Sequence, residues 1–129
     1  MIRSLALALS LASPALAQET MDAEAFDAHV TGRTIVFSSL GREVFGIERY
    51  MDGRRVMWSS EVGRCLFGIW YESKGDICFR YDDDPDPHCW TMWDTTDGLV
   101  AALSGGTAPL LIREEPERDD PLICDGLMF

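Results

Sequence analysis

The chain has 129 residues, with 22 Asp or Glu against 11 Lys or Arg and a net charge of −11 at neutral pH. A chain this acidic repels nucleic-acid phosphates and anionic lipid headgroups, which argues against nucleic-acid binding and electrostatic docking on membranes. The length suits one domain around a single core.

Residues 1–17 read as a signal peptide rather than as part of the fold. Arg3 supplies a positive start, residues 5–11 an apolar centre, and Ala15-Leu16-Ala17 a small-residue cleavage site. The apolar centre is too short to span a bilayer, and no later apolar run approaches about 18 residues, so no membrane insertion is expected. Cleavage after Ala17 removes 17 of 129 residues, leaves a single β domain over 18–129, and takes the charge from −11 to −12 by removing Arg3. The pattern is that of a bacterial general secretory signal, which predicts a periplasmic or secreted protein.

Residues 20–31 carry a helical pattern. Thr20 or Asp22 serves as N-cap, and Gly32 stands where a helix C′ residue belongs. Phe26 and Val30, four apart, form an apolar face suited to a sheet edge or a barrel mouth, and His29 is expected to be exposed at the helix end. From Arg33 the period changes to strands. A short run at 34–37 is followed by strands at 43–50 and 54–59, hinged at Met51-Asp52-Gly53. In these, Phe45 and Ile47 share one face, and Val56 and Trp58 share another that completes the same cluster. Residues 41–47, GREVFGI, echo residues 63–69, GRCLFGI, at five of seven positions. Two similar hairpin units side by side are predicted, with Gly46 and Gly68 at points of bending or close approach.

Residues 63–94 hold three of the four cysteines and three of the four tryptophans. They read as strands over 64–72, 76–81 and 88–94, joined by Ser73-Lys74-Gly75 and by the acidic tip at 82–85. Pairing Tyr81 with Asp86 sets Cys78 opposite Cys89, close enough to bridge. Pairing Glu72 with Asp76 sets Trp70 opposite Cys78. Trp70, Cys78 and Cys89 then share one face, and Tyr71, Ile77 and Trp90 the other, so the middle strand is covered on both sides. Beyond a further Asp97-Gly98 turn, 99–103 and 109–113 read as strands. The acidic tail at 114–120 lacks the apolar content to order itself.

Four cysteines behind a secretion signal predict two disulfides. The register favours Cys78–Cys89, which leaves Cys65–Cys124 to hold the tail through Leu122-Ile123-Cys124. The cysteine spacings of 13, 11 and 35 positions do not match a zinc site. The cluster Asp82-Asp83-Asp84-Pro85-Asp86 lacks the glycine and terminal glutamate of a calcium loop and reads as a solvated hairpin tip. No metal site and no cofactor are expected. Nucleophile elbow, P-loop, dinucleotide and metalloprotease motifs are absent. Glu48, Glu72 and Asp94 are the carboxylates that a curled sheet can direct into a lumen. Among the many aromatics, Trp58, Trp70, Tyr71 and Trp90 are the best candidates to line a ligand site.

The elements Gly46-Ile47-Glu48-x-Tyr50-x-Asp52-Gly53, Cys65-x-x-Gly68-x-Trp70, Ile77-Cys78-Phe79-x-Tyr81 and Cys89-Trp90 resemble those of a family of small secreted bacterial proteins of unknown function. The resemblance spans about 32–103 and implies compartment and fold type. The Gly-x-Trp element is also similar to that of lipocalin-like barrels, although here it follows two or three strands instead of opening the first.

The fold predicted is all-β: an antiparallel meander of seven or eight strands, curled or partly closed into a barrel, after a short helix. The expected function is non-enzymatic binding of a small molecule, glycan or envelope protein on an aromatic concave face. The alternatives are an interaction or inhibitor module acting through the acidic tip at 82–86, and a small envelope hydrolase.

Overall fold

The computed structural model describes residues 19–39 and 43–129; the segment 1–17 read above as a signal peptide, and Gly41 and Arg42 of the echoed heptapeptide, lie outside the described residues. The helix α1 (Ala23–Val30) is followed by β1 (Thr34–Ser39), β2 (Val44–Tyr50), β3 (Arg55–Glu61), β4 (Arg64–Ser73), β5 (Asp76–Tyr81), β6 (His88–Thr95), β7 (Gly98–Leu103) and β8 (Leu111–Glu114). Each strand pairs antiparallel with the next. β8 then returns to β1 through Phe37↔Glu114, Ser38↔Arg113 and Ser39↔Ile112. The meander is therefore a fully closed eight-stranded barrel, and closure leaves none of these strands with an unpaired edge.

Alternation along the strands divides the wall into an inner and an outer face. The interior holds Ile35, Phe37, Tyr50, Val56, Trp70, Ile77, Phe79, Trp90, Met92, Leu99, Ala101 and Ile112. The expectation that Phe45 and Ile47 share a face fails. β1 and β2 slip register between Phe37 and Ser38, so that Phe37 faces Gly46 while Ser38 faces Val44 and Phe45 is the extra residue of a bulge. Phe45 packs with the interior, whereas Ile47 packs outside the barrel beside Met57. Gly46 is required at the bulge, because a Cβ there would stand 2.1 Å from the Trp58 ring.

The β4–β5 register also differs from the expected one. The turn has two central residues, Lys74 and Gly75, both at positive φ (52° and 82°), as a type I′ hairpin requires. Ser73 therefore pairs with Asp76, Trp70 with Phe79, and Tyr71 with Cys78. A three-residue turn would have shifted the pairing by one and inverted β4 relative to β5. With the true register, Trp70 joins Ile77 and Trp90 inside, and Tyr71 lies outside with the cysteines. β5 is still covered on both faces, with Ile77, Cys78 and Phe79 all buried.

α1 plugs one end of the barrel. Asp22 caps it by accepting from the Ala25 amide at 2.8 Å, and the Glu72 carboxylate accepts from the Ala23 amide at 2.5 Å. Phe26 and Val30 are fully buried, and Phe26 meets Trp70 and Tyr50 edge-on at centroid distances of 5.0 and 5.7 Å. His29 is not a free helix-end histidine. Its Nε2 lies 2.7 Å from the carboxylate of the buried Glu114.

Both expected disulfides are present. Cys78–Cys89 joins directly opposed residues on the outer face of β5 and β6, and Cys65–Cys124 ties β4 to the tail. The tail forms a small second sheet of β9 (Ile123–Cys124) and β10 (Leu127–Met128). Leu122 and Cys124 bury themselves with Met57 against the outer wall. Two disulfides are consistent with an extracellular or periplasmic protein, and among the described residues no helix is long and apolar enough to cross a membrane.

Candidate functional site

The end of the barrel away from α1 contains a cavity of about 220 Å³, lined by Phe37, Phe45, Glu48, Tyr50, Trp58, Leu66, Phe79, Tyr81, His88, Trp90, Met92 and Ile112. These residues come from seven of the eight strands and meet only because the sheet closes. Phe45 stands 5.6 Å from Trp58 and 6.1 Å from Trp90, ring centroid to centroid. Phe79 and Tyr81 stack almost parallel along β5. His88 forms part of the rim, its side chain 47% exposed and hydrogen-bonded to Asp84 at 3.0 Å. The volume falls below the 300–1,000 Å³ or so of drug-sized sites, which suits a small ligand or the end of a larger one.

Glu48 is the one carboxylate among the described lining residues, and it is only 1% exposed. The Tyr81 hydroxyl donates to its two oxygens at 2.9 and 3.1 Å. Burial pushes the carboxyl well above the usual range, against the smaller downward pull of that hydrogen bond. Burial likewise raises Tyr50 and Tyr81, with the Glu48 charge adding to both. No Arg, Lys or His forms an ion pair with Glu48 among the described residues. A buried, strongly shifted acid within a cleft is a marker of function more than of fold stability.

The second buried glutamate shows the contrast. Glu114, 2% exposed, receives His29 at 2.7 Å, Arg33 at 2.8 Å and the Leu99 amide at 3.2 Å. Burial pushes its carboxyl up, but these bonds and the Arg33 charge outweigh it and hold the group below the usual range. Glu114 therefore has partners on α1 and β7 as well as Arg33, and its role is to fasten the helix to the wall.

Of the four aromatic residues expected to line a ligand site, the structure brings Trp58 and Trp90 together at the cavity. Trp70 is buried behind it beneath α1, with the Arg54 guanidinium 4.5 Å from its ring. Tyr71 lies on the outer face. Of the three carboxylates expected in a lumen, Glu48 alone reaches the cavity; Glu72 serves the helix start and Asp94 is exposed. Leu66 and Tyr81 are lining residues that the sequence did not single out for this purpose. The period-2 set Gly46, Glu48, Tyr50 was the available signal, because it alternates with Ile47 and Arg49.

A larger hollow of about 900 Å³ lies on the outer wall between Met51, Phe67, Ile69, Asp82, Asp83 and Phe129. Despite its size it is the weaker candidate: its charged groups are solvated, and it has no buried acid. The acidic tip beside it is held by its own bonds, Asp84 accepting from the Asp86 amide at 2.9 Å and from His88.

No family model, curated protein or solved structure matches the chain.

Proposed function

We propose that this protein is a small-ligand binding module of the periplasm or extracellular space, holding its ligand inside one end of the barrel. The observation that carries this reading is Glu48, a carboxyl buried on the wall of an aromatic cavity with no counter-ion among the described residues. Fold stability gains nothing from such a group, since an apolar residue would fill the place without the cost of burying an acid. The two disulfides and the N-terminal pattern support the location. A glycosidase-type mechanism receives less support, because it needs two carboxylates across the bond to be cut and the described lining residues offer one.

The test is a thermal-shift screen of a chemically mixed small-molecule library, with hits titrated by tryptophan fluorescence, to which Trp58 and Trp90 are suited reporters. Leu66→Trp and Ile112→Trp fill the cavity from opposite walls. The reading predicts hits on the wild type that both filled variants lose. A screen without hits, or with hits indifferent to both fillings, would sink it.

The outer groove favours a second reading. Phe67 and Ile69 are 53% and 43% exposed beside Asp82 and Asp83, a combination suited to a basic, partly apolar protein segment. Replacing Asp82, Asp83 and Asp84 by Asn abolishes salt-sensitive partner binding under this reading and leaves small-molecule binding intact under the first.

A further inference from the structure

We infer that the cavity takes a small organic ammonium ion, its charge set against Glu48 and its carbon skeleton against Phe45, Trp58, Tyr81 and Trp90. This rests on the binding-module reading above and names the ligand class for that same site.

The two buried glutamates carry the argument. Glu114 has its cationic partners built into the chain, in His29 and Arg33. Glu48 is at least as deeply buried, yet among the described residues its one side-chain hydrogen-bonding partner is the neutral Tyr81 hydroxyl. A carboxylate offers about four lone-pair positions, and a single hydroxyl leaves most of them unused. The unused positions belong to a group that lines the cavity. A ligand bearing N–H donors and a positive charge supplies what Arg33 and His29 supply to Glu114.

The walls agree with a cation. The ring faces of Trp, Tyr and Phe attract a positive charge held within about 6 Å, more strongly where water is excluded. Here Phe45 stands 5.6 Å from Trp58 and 6.1 Å from Trp90, so that the three rings form a contiguous stretch of the cavity wall. The net charge of −11 draws cations toward the barrel and repels anions. An anionic ligand would meet Glu48 with no cation paired to that carboxylate among the described residues. The titratable groups facing Glu48 are Tyr50 on its own strand and Tyr81 on β5, with His88 at the rim.

The experiment uses the purified, disulfide-intact protein and three probes of one shape: benzylammonium, benzyl alcohol and benzoate. Calorimetric titration at pH 7 should show benzylammonium binding at least tenfold more tightly than benzyl alcohol, and benzoate more weakly than either. Titration in two buffers of different ionisation heat, repeated between pH 5 and pH 8, should show benzylammonium releasing more protons than benzyl alcohol, because a bound cation favours the ionised form of Glu48. Glu48→Gln should remove both the proton release and the preference for the cation. The proton count is read on the wild type and does not depend on the variant folding. Benzyl alcohol binding as tightly as benzylammonium, and lost on Leu66→Trp, would overturn the ammonium assignment and leave the binding module standing. If none of the three probes binds the ammonium assignment also falls, and the library screen then decides whether the binding module falls with it.

Discussion

The Tyr81 hydroxyl of β5 donates to both carboxylate oxygens of Glu48 on β2, at 2.9 and 3.1 Å, inside the barrel. The two strands are not neighbours in the wall; β3 and β4 lie between them. The bond crosses the interior, so it links the two sides of the barrel at the level of the cavity.

Glu48 sets a pH dependence of stability with a definite sign. Its folded pKa is raised by burial, while the unfolded value is about 4.3. Between the two, the folded state keeps a proton that the unfolded state has lost, so stability falls as pH rises, by up to about 1.4 kcal/mol per pH unit. Glu48→Gln removes this slope and keeps a partner for Tyr81. Denaturant unfolding at pH 5 and pH 8 should show the variant gaining on the wild type at the higher pH. Parallel curves for the two proteins would contradict the burial of an unpaired acid.

Glu114 carries the opposite sign. Its pKa is lowered in the fold, so its contribution is fully present above the unfolded value and is lost as pH falls through the folded one. Glu114→Gln should cost about 1.5–3 kcal/mol at pH 7, the scale of hydrogen bonds to a charged group. The deficit should shrink on acidification. Hydrogen exchange in α1 should speed up most, because His29 and Arg33 join that carboxylate to the helix and its exit.

Phe26 is the wedge of the closed end, edge-on to three aromatic rings. Phe26→Ala should cost about 3–5 kcal/mol, measured by denaturant midpoint at unchanged slope. Trp58→Phe, at the open end and only partly buried, should cost far less while weakening ligand binding.

Gly46→Ala tests the bulge. The added methyl group meets both the Trp58 ring and the Ser59 carbonyl, and overpacking of this kind costs about 1–3 kcal/mol. The tryptophan emission should shift as the Trp58 ring is displaced. Wild-type stability and emission in this variant would show that the ring does not lie over Gly46.

The disulfides should separate in their effects. Cys65–Cys124 spans 59 positions and Cys78–Cys89 spans 11, for which chain entropy gives about 4 and 3 kcal/mol. Serine replacement of Cys65 and Cys124 should free the segment at 122–129 to exchange and proteolysis and leave the barrel closed. Replacement of Cys78 and Cys89 should weaken the β5–β6 pairing. With both bridges formed, the denatured mass lies about 4 Da below that of the fully reduced chain.

The sequence alone determined the strand content and the short helix with its Phe26 and Val30 face, and it favoured the Cys78–Cys89 pair, with Cys65–Cys124 following by elimination. These follow from local rules: alternation at period 2, turn residues, capping, and opposition across one hairpin. It also marked Trp58 and Trp90 as ligand-site candidates and Glu48 as one of three possible lumen carboxylates. Only the tertiary structure decided the rest. The turn at Lys74-Gly75 has two central residues instead of three, and that single difference moved Trp70 inward and Tyr71 outward. The bulge at Phe45 parted it from Ile47. Closure joins Phe37 to Glu114, 77 positions apart, through a pairing that no local pattern encodes. The cavity depends on that closure, because its walls come from strands far apart in the chain, and Glu48 gains its burial, its bond to Tyr81 and its raised pKa only when those walls meet.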